Sequence, residues 1–180
     1  MSIFPPKERL WWNEPIERSE VLWIGLAFVW AMIMFAMMPF WHLSGGQNLS
    51  NEAYRVVPEA YGQKVEAAAA KYKVGEDKAS GLPIVRPPVG GDAYMLGRTY
   101  EWWPILELVK GQSYRLHLSS MDMMHGFSLQ PVNINIQVHP DYEHVLTLTP
   151  TTSGEFTIVC NEFCGIGHHV MTGKIRVVDK

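Results

Sequence analysis

Cys160-Asn161-Glu162-Phe163-Cys164-Gly165-Ile166-Gly167-His168-His169-Val170-Met171 is the stretch around which the rest of this chain can be interpreted. It holds both cysteines of the protein, two of its seven histidines and a methionine. Thiolate, imidazole and thioether groups are soft to borderline ligands, which suit copper better than magnesium or calcium. A disulfide between cysteines so close in sequence would add little stability and needs special geometry. The stretch therefore favours a metal site over a disulfide.

Composition narrows the class of protein. The 180 residues are enough for one modest domain and an appendage. The chain is 47% hydrophobic but only 18% charged, which indicates that part of it lies outside water. A net charge of -3 and the lack of a basic run exclude nucleic acid as a partner. No Cys-x-x-Cys-His motif occurs, so no c-type haem is attached.

An uncharged segment, residues 21–41, predicts a single transmembrane helix. At 1.5 Å per residue it is about 31 Å long, enough to cross a hydrocarbon core. A buried helix of a small soluble domain rarely has such a run, and a cleaved signal peptide is shorter, starts earlier and ends in Ala-x-Ala. Lys7, Arg9 and Arg18 precede the segment, and the next basic residue is Arg55. The N-terminus is therefore predicted in the cytoplasm, with the rest of the chain outside.

The pattern along the chain divides it into four regions. We predict a cytoplasmic tail at 1–20, a transmembrane helix at 21–41, a connector with a short helix at 42–92 and a β domain at 93–180. Within the connector, Pro58 opens an alanine-rich helix that runs to Lys71, and Gly75 ends it. Residues 80–91 are rich in Gly and Pro and predict extended coil.

The last region has the period of β-strands. Apolar and polar residues alternate over five short segments, at 114–118, 132–138, 145–149, 155–159 and 174–178. Gly and Pro separate these segments. The pattern predicts a mainly β fold, either a small β-sandwich or a Greek-key barrel.

A copper site on such a scaffold could take two forms. One Cys, two His and a weak Met ligand give a mononuclear electron-transfer site. The second cysteine here also permits two copper ions bridged by thiolates, each with a terminal His and one weak ligand. Either form needs a second His from elsewhere in the chain. His125 is the best candidate, since it follows a predicted strand in a loop that could reach residues 160–171.

These residues resemble a known family. The stretch matches the CuA signature Cys-x-Glu-x-Cys-Gly-x-x-His-x-x-Met of cytochrome c oxidase subunit II at every named position. Asp122-x-x-His125 is similar to the family's Asp-x-x-His segment, and Asn133-x-Asn135-Ile136 looks most like the short, single-helix subunit II of B-type haem–copper oxidases. The resemblance implies a cupredoxin-like β-sandwich behind one transmembrane helix.

The resemblance also implies a role for each metal-binding residue of a dinuclear copper centre. Cys160 and Cys164 would bridge the two copper ions as thiolates. His125 and His168 would each bind one ion through a ring nitrogen. Met171 would be the weak ligand of one ion.

Further roles follow from the resemblance with less direct support from the motif. The backbone carbonyl of Glu162 would be the weak ligand of the other copper ion, and its side chain would help to bind magnesium at a subunit interface, as in A-type enzymes. Trp102 and Trp103 are candidates for the point at which the electron enters, although packing on the sandwich explains them equally well. His169 is predicted to face the surface or a partner.

The function implied is that of subunit II of a terminal oxidase in a respiratory chain, an oxidoreductase and translocase complex. The chain would take electrons from cytochrome c or another small donor outside the cell membrane. It would pass them to haem in the catalytic subunit I, which reduces oxygen to water and pumps protons, so no catalytic residue is expected here. The alternatives are a CuA subunit of a nitric oxide reductase and a membrane-anchored copper chaperone, which would hold Cu(I) at an exposed site.

Overall fold

The computed structural model describes residues 15–45, 52–132 and 134–179. The chain divides into two compact units, one up to residue 47 and the other from residue 48 onwards. The domain limits drawn from the sequence stay predictions. Most of the predicted tail, with Lys7 and Arg9, lies outside the described residues, as does Asn133.

The first unit contains one long helix, α1 (Arg18–Ser44), none of whose residues is buried. Its 27 residues span about 40 Å, and it is long and apolar enough to cross a membrane. The predicted N-terminal apolar helix is confirmed, with wider bounds than 21–41. Pro39 lies inside the helix, which continues beyond it to Ser44. A proline removes only one backbone hydrogen bond, and the residues beyond it keep theirs.

The second unit is built from two β-sheets. The strand order in the first sheet is β1 (Glu52–Arg55), β10 (Tyr142–Leu148), β7 (Tyr114–Ser120), β4 (Asp92–Arg98), β5 (Glu101–Trp103). The order in the second is β2 (Lys73–Glu76), β3 (Pro83–Val85), β6 (Ile105–Val109), β12 (Thr172–Val178), β11 (Gly154–Val159), β8 (His125–Gln130), β9 (Ile134–Val138). The predicted mainly β fold is confirmed.

The core lies between these two sheets. Leu116 and Leu118 of β7 belong to the same buried cluster as Phe127 of β8, Ile158 of β11 and Ile175 of β12. Successive side chains of a strand point to opposite faces, so each of these strands directs every second residue towards the core. This alternation is the pattern that predicts a β-sandwich from the sequence.

The segment before residue 93 contributes to both sheets. The helix predicted from Pro58 is present as α2 (Pro58–Tyr72), but it ends before Gly75, which lies in β2. The coil predicted at 80–91 contains β3, which pairs with β6. Strands this short gain their stability from hydrogen bonds to neighbouring strands and not from a local sequence pattern.

The sequence also predicts His125 in a loop, whereas the structure makes it the first residue of β8. Phe127 and Leu129 on this strand point into the core. Polar and small residues around them weaken the apolar alternation, so the strand is visible only through its pairing with β9 and β11.

Candidate metal centre

Strand pairing brings His125 to the loop at 160–171. Strand β8 starts at His125, and the antiparallel strand β11 ends at Val159, which pairs with Ser128. The start of β8 and the end of β11 therefore lie next to each other, at the same end of the second sheet. As a result, Nδ1 of His125 is 3.9 Å from Sγ of Cys160.

The loop itself is closed by backbone contacts. The amide of Cys160 donates to the carbonyl of Met171 at 3.2 Å, which joins the two ends of the loop. A 3-10 helix, His168–Val170, forms its last turn. Gly165 has φ of 117°, a conformation that residues other than glycine rarely adopt. The glycine at this position therefore allows the chain to fold back over the cysteines.

The sulfur atoms of the two cysteines lie at the centre of two sets of donor atoms. They are 3.8 Å apart, nearly twice the length of a disulfide bond. Cys160 Sγ lies 3.3 Å from the carbonyl oxygen of Glu162 and also faces His125. Cys164 Sγ lies 3.7 Å from Nδ1 of His168 and 3.6 Å from Sδ of Met171. Each thiol thus faces one imidazole and one weaker donor.

All six residues that the CuA resemblance names are brought together in this way, although their roles as ligands stay predictions. Among the described residues, His125, Cys160 and Cys164 also form the only group of three or more His, Cys, Asp or Glu side chains spaced to hold a metal ion. Thiolate, imidazole and thioether donors in one cluster fit copper.

Most of the cluster is shielded from water, and the half-buried His168 lies at its outer side. His125 is fully buried, and Cys160, Cys164 and Met171 are at most 3% exposed. Burial, together with the neighbouring Cys160 thiol, raises the pKa of Cys164 to about 11. The metal-free thiol is therefore protonated at neutral pH, and a metal ion that binds here releases its proton.

Asp122 holds the outer nitrogen of His125. Its Oδ1 is 2.8 Å from Nε2 of His125, and its Oδ2 accepts a hydrogen bond of 2.7 Å from the amide of Thr99 and another from the Thr99 hydroxyl. Burial opposes ionisation of Asp122, but the hydrogen bonds from Thr99, His125 and Met123 outweigh it and hold its pKa well below the usual range. The carboxylate thus fixes which nitrogen of His125 faces the cysteines.

Two further contacts position the start of the loop. The Asn161 side chain donates to Oδ1 of Asn135 in β9 at 3.0 Å. The backbone of the loop also lies directly on Gly126, where a Cβ atom would be only 2.8 Å from the amide nitrogen of Glu162. A side chain at residue 126 would therefore push the loop away from the strand that carries His125.

Tyr100 covers the glycines of the loop, and sequence reasoning missed it. A Cβ atom on Gly165 would lie 2.6 Å from its hydroxyl oxygen, and one on Gly167 would overlap its ring. Tyr100 remains 38% exposed. Only its place in the aromatic run Tyr100-Glu101-Trp102-Trp103 could have drawn attention to it.

The other predicted residues occupy different environments. Trp102 is fully buried, and its ring packs edge-on against His125, with ring centroids 6.0 Å apart. Trp103 is half-buried, next to the Arg98 guanidinium. The side chain of Glu162 accepts a 2.7 Å hydrogen bond from Gln137, and His169 is exposed. The entry of electrons through the two tryptophans and the binding of magnesium by Glu162 stay predictions.

Fold and site together define a cupredoxin-like domain whose His/Cys/Cys cluster fits copper, in a chain that also carries one apolar N-terminal helix. The fold is similar to that of rusticyanin, a copper protein, from Thiobacillus ferrooxidans. That structure has a TM-score of 0.54 and 14% identity, and the match covers 72% of this chain and 99% of rusticyanin.

Comparison with known sequences then narrows the class. One cytochrome c oxidase subunit 2 of Thermus thermophilus is 23% identical over 156 residues, which cover 86% of this chain and 89% of that protein. A second cytochrome c oxidase subunit 2 from Thermus thermophilus is 34% identical over 85 residues, covering 47% of this chain and 63% of its own length. No protein-family model matches the sequence.

One solved structure shares the fold over most of this chain. A chain in the structure of a heme-copper terminal oxidase dimer matches with a TM-score of 0.57 and 20% identity, covering 89% of this chain and all of that chain. The resemblance of this protein to subunit II of cytochrome c oxidase is confirmed.

Proposed function

We propose that this chain is the copper-bearing subunit II of a terminal haem–copper oxidase. It accepts electrons one at a time from cytochrome c or another small donor and passes them to haem in the catalytic subunit I. The observation that carries this proposal is the arrangement of two buried thiols, each facing one imidazole and one weaker donor. That arrangement is what a dinuclear centre of the CuA type requires.

The residues would hold the metal in two matched halves. Cys160 and Cys164 would be shared between the halves as thiolates. His125 and the Glu162 carbonyl would complete one half, and His168 and Met171 the other. A dinuclear copper centre bound here would supply a one-electron relay with little change in geometry.

The surroundings of His125 would limit its movement when a bound metal changes redox state. Because His125 is fully buried and held by Asp122, its ring cannot turn to follow a change in metal charge. Burial of both cysteines and of Met171 excludes water from the same space. Ligands that are held in place and kept away from water lower the reorganisation energy of electron transfer.

The exposed face of the loop is suited to a donor. Three side chains on the loop, Phe163, Ile166 and Val170, are 62 to 93% exposed, and we refer to them as the apolar rim. The Phe163 ring lies 5.8 Å from that of His168, measured between centroids. Tyr100 is exposed beside the same loop, whereas Trp102 is buried. We therefore propose that the electron enters across the apolar rim and Tyr100, with entry through Trp102 and Trp103 as the alternative.

Membrane attachment and partners complete the proposal. Helix α1 crosses the cell membrane once, with its N-terminus in the cytoplasm and the copper domain on the outer side. Reduction of oxygen to water and proton pumping occur in the partner subunit. The half-buried Glu162 side chain, bound to Gln137, is the proposed contribution to a magnesium site at the subunit interface.

The burial of the thiols weighs against a chaperone. A chaperone must release Cu(I) to another protein, which requires access to the sulfur atoms. Here Cys160 is 3% and Cys164 is 1% exposed. A nitric oxide reductase partner would leave this chain unchanged, so the partner itself must be identified.

The test is to purify the complex from its native membrane and record its copper spectra, haem content and subunit composition. We expect a purple protein with near-infrared absorption, a delocalised mixed-valence EPR signal and a haem-bearing oxygen reductase as partner. Cys160→Ser should abolish these spectra, whereas the matched control His169→Ala should leave them intact. A colourless protein with one Cu(I), or loss of the spectra in His169→Ala, would refute the assignment.

A further inference from the structure

A pair of histidines outside the copper cluster lies at the same end of the sandwich. His139 directly follows Val138, the residue of β9 that pairs with His125. His144 lies on β10, after the turn that connects the two sheets, and pairs with Leu118. The centroids of the two imidazole rings are 6.2 Å apart, with 43° between their planes.

His144 is unusual for the direction in which it points. It lies on the same face of β10 as Leu146 and Leu148, which belong to the core between the sheets. Its Nε2 atom is buried and has no hydrogen-bond partner among the residues that the structure describes. Buried polar atoms are almost always paired with protein, water or a ligand, so this nitrogen of the half-buried His144 is available to a ligand.

The charge state of this ring suits a metal ion. Burial, with the nearby His139 adding to it, lowers the pKa of His144. The ring is therefore neutral at physiological pH and keeps a lone pair on one nitrogen. Neutral imidazole is the form in which histidine binds metals.

The two rings are far enough apart for one ion to lie between them. With a metal–nitrogen bond of about 2.0 Å and a nitrogen about 1.2 Å from the ring centroid, two imidazoles in line across one ion have centroids about 6.4 Å apart. At a tetrahedral angle the same bonds bring the centroids to about 5.2 Å. The observed 6.2 Å therefore leaves room for one ion between the two rings.

Linear coordination by two imidazoles is typical of Cu(I). Structural zinc takes four ligands. Among the described residues, no group of three or more His, Cys, Asp or Glu side chains that could hold a metal includes His139 or His144. Tyr142, whose ring lies 6.4 Å from that of His144, adds an aromatic wall to the site.

We propose that His139 and His144 bind one Cu(I) ion in a two-coordinate site, separate from the cysteine cluster. The ion would lie beside the strand pair that carries His125. Two neutral ligands bind Cu(I) less firmly than the thiolates do, so the ion exchanges readily. Such a site can hold copper close to the cysteine cluster before that cluster is filled.

The experiment uses the full chain in detergent, with its cysteine cluster already filled, under anaerobic conditions. Cu(I) is added in the presence of a colorimetric chelator that competes for it. The copper bound per chain is measured after the chelator complex has been removed. We expect one further equivalent of Cu(I) in the wild type. His139→Ala and the size-matched His144→Phe should each lose it, while His42→Ala, which removes an imidazole from α1, should keep it.

Several outcomes would overturn the proposal. These are the absence of the further equivalent in the wild type, its retention in both variants, or displacement of Cu(I) by an equal concentration of Zn(II). If His144→Phe does not fold, His139→Ala decides alone, because that ring is only half-buried. The spectra of the cysteine cluster are recorded in parallel, so failure of that centre is distinguishable from failure of this site.

Discussion

The contact between Gly126 and the metal loop provides a demanding test of how the site is held. In Gly126→Ala, the new methyl group would lie 2.8 Å from the amide nitrogen of Glu162 and 2.9 Å from that of Asn161, and would overlap the Asn161 side chain. Non-bonded atoms of this kind rest at about 3.5 Å or more, so the loop must move by about 0.6 Å. Two of the atoms that must move are backbone atoms, which cannot turn aside as a flexible side chain can.

Overpacking of this type costs about 1–3 kcal/mol, or about 5- to 150-fold in the folding equilibrium. The shift should also move the Glu162 carbonyl away from Cys160, which it now faces at 3.3 Å. We expect a lower free energy of unfolding, measured by denaturant titration of the full chain in detergent, and less copper bound per chain.

Gly75→Ala is the matched control, because a Cβ atom there meets no atom of the described residues within 4 Å. Its free energy of unfolding should remain within about 0.5 kcal/mol of the wild type, as for most surface substitutions. If Gly126→Ala is as stable and binds as much copper as Gly75→Ala, then the loop does not rest on Gly126.

Three further predictions concern the ligand shell, the donor surface and the pH range of stability. Asp122→Asn should lower copper affinity by about 10- to 100-fold, as for other groups that orient metal-binding histidines, and unchanged chelator competition would contradict this role. Ile166→Glu should slow electron transfer from the donor by about tenfold or more in stopped-flow assays, because it places a charge on the proposed contact surface. The exposed control Val89→Glu should leave the rate unchanged. Equal effects of the two substitutions would show that the donor does not bind at the apolar rim. Hydrogen bonds from Ser80 lower the pKa of Asp77 to about 2, below its unfolded value of about 3.9. Its contribution to stability is therefore present above about pH 4 and lost as the pH falls to about 2, so melting temperatures of the wild type and Asp77→Asn should differ at about pH 7 and converge near pH 2.

Much of the candidate site follows from local sequence. Five of its six residues lie between Cys160 and Met171, where spacing alone determines which side chains can meet. Residues close in sequence have few ways to arrange themselves around a common point, so a short motif carries most of the geometry. The apolar helix is likewise predictable, because its length and lack of charge need no partner to interpret.

Long-range contacts were less accessible to sequence reasoning. His125 was identified as a candidate, but its place at the start of β8 depends on pairing with a strand about thirty residues further on. Tyr100 was missed altogether, because its contact with Gly165 and Gly167 crosses more than sixty residues of chain. The tryptophans next to it are more conspicuous in sequence, yet Trp102 is buried.

The residue pattern alone therefore predicts a β-sandwich, one apolar helix, and a Cys/His/Met loop with the chemistry for copper. The supports of that loop become visible only when the chain is folded. The hydrogen bonds of Asp122, the contact at Gly126 and the unpaired nitrogen of His144 each depend on segments that are distant in the chain. The physical reason is that residue type specifies which bonds a side chain can form, whereas packing of the two sheets specifies which partners it meets.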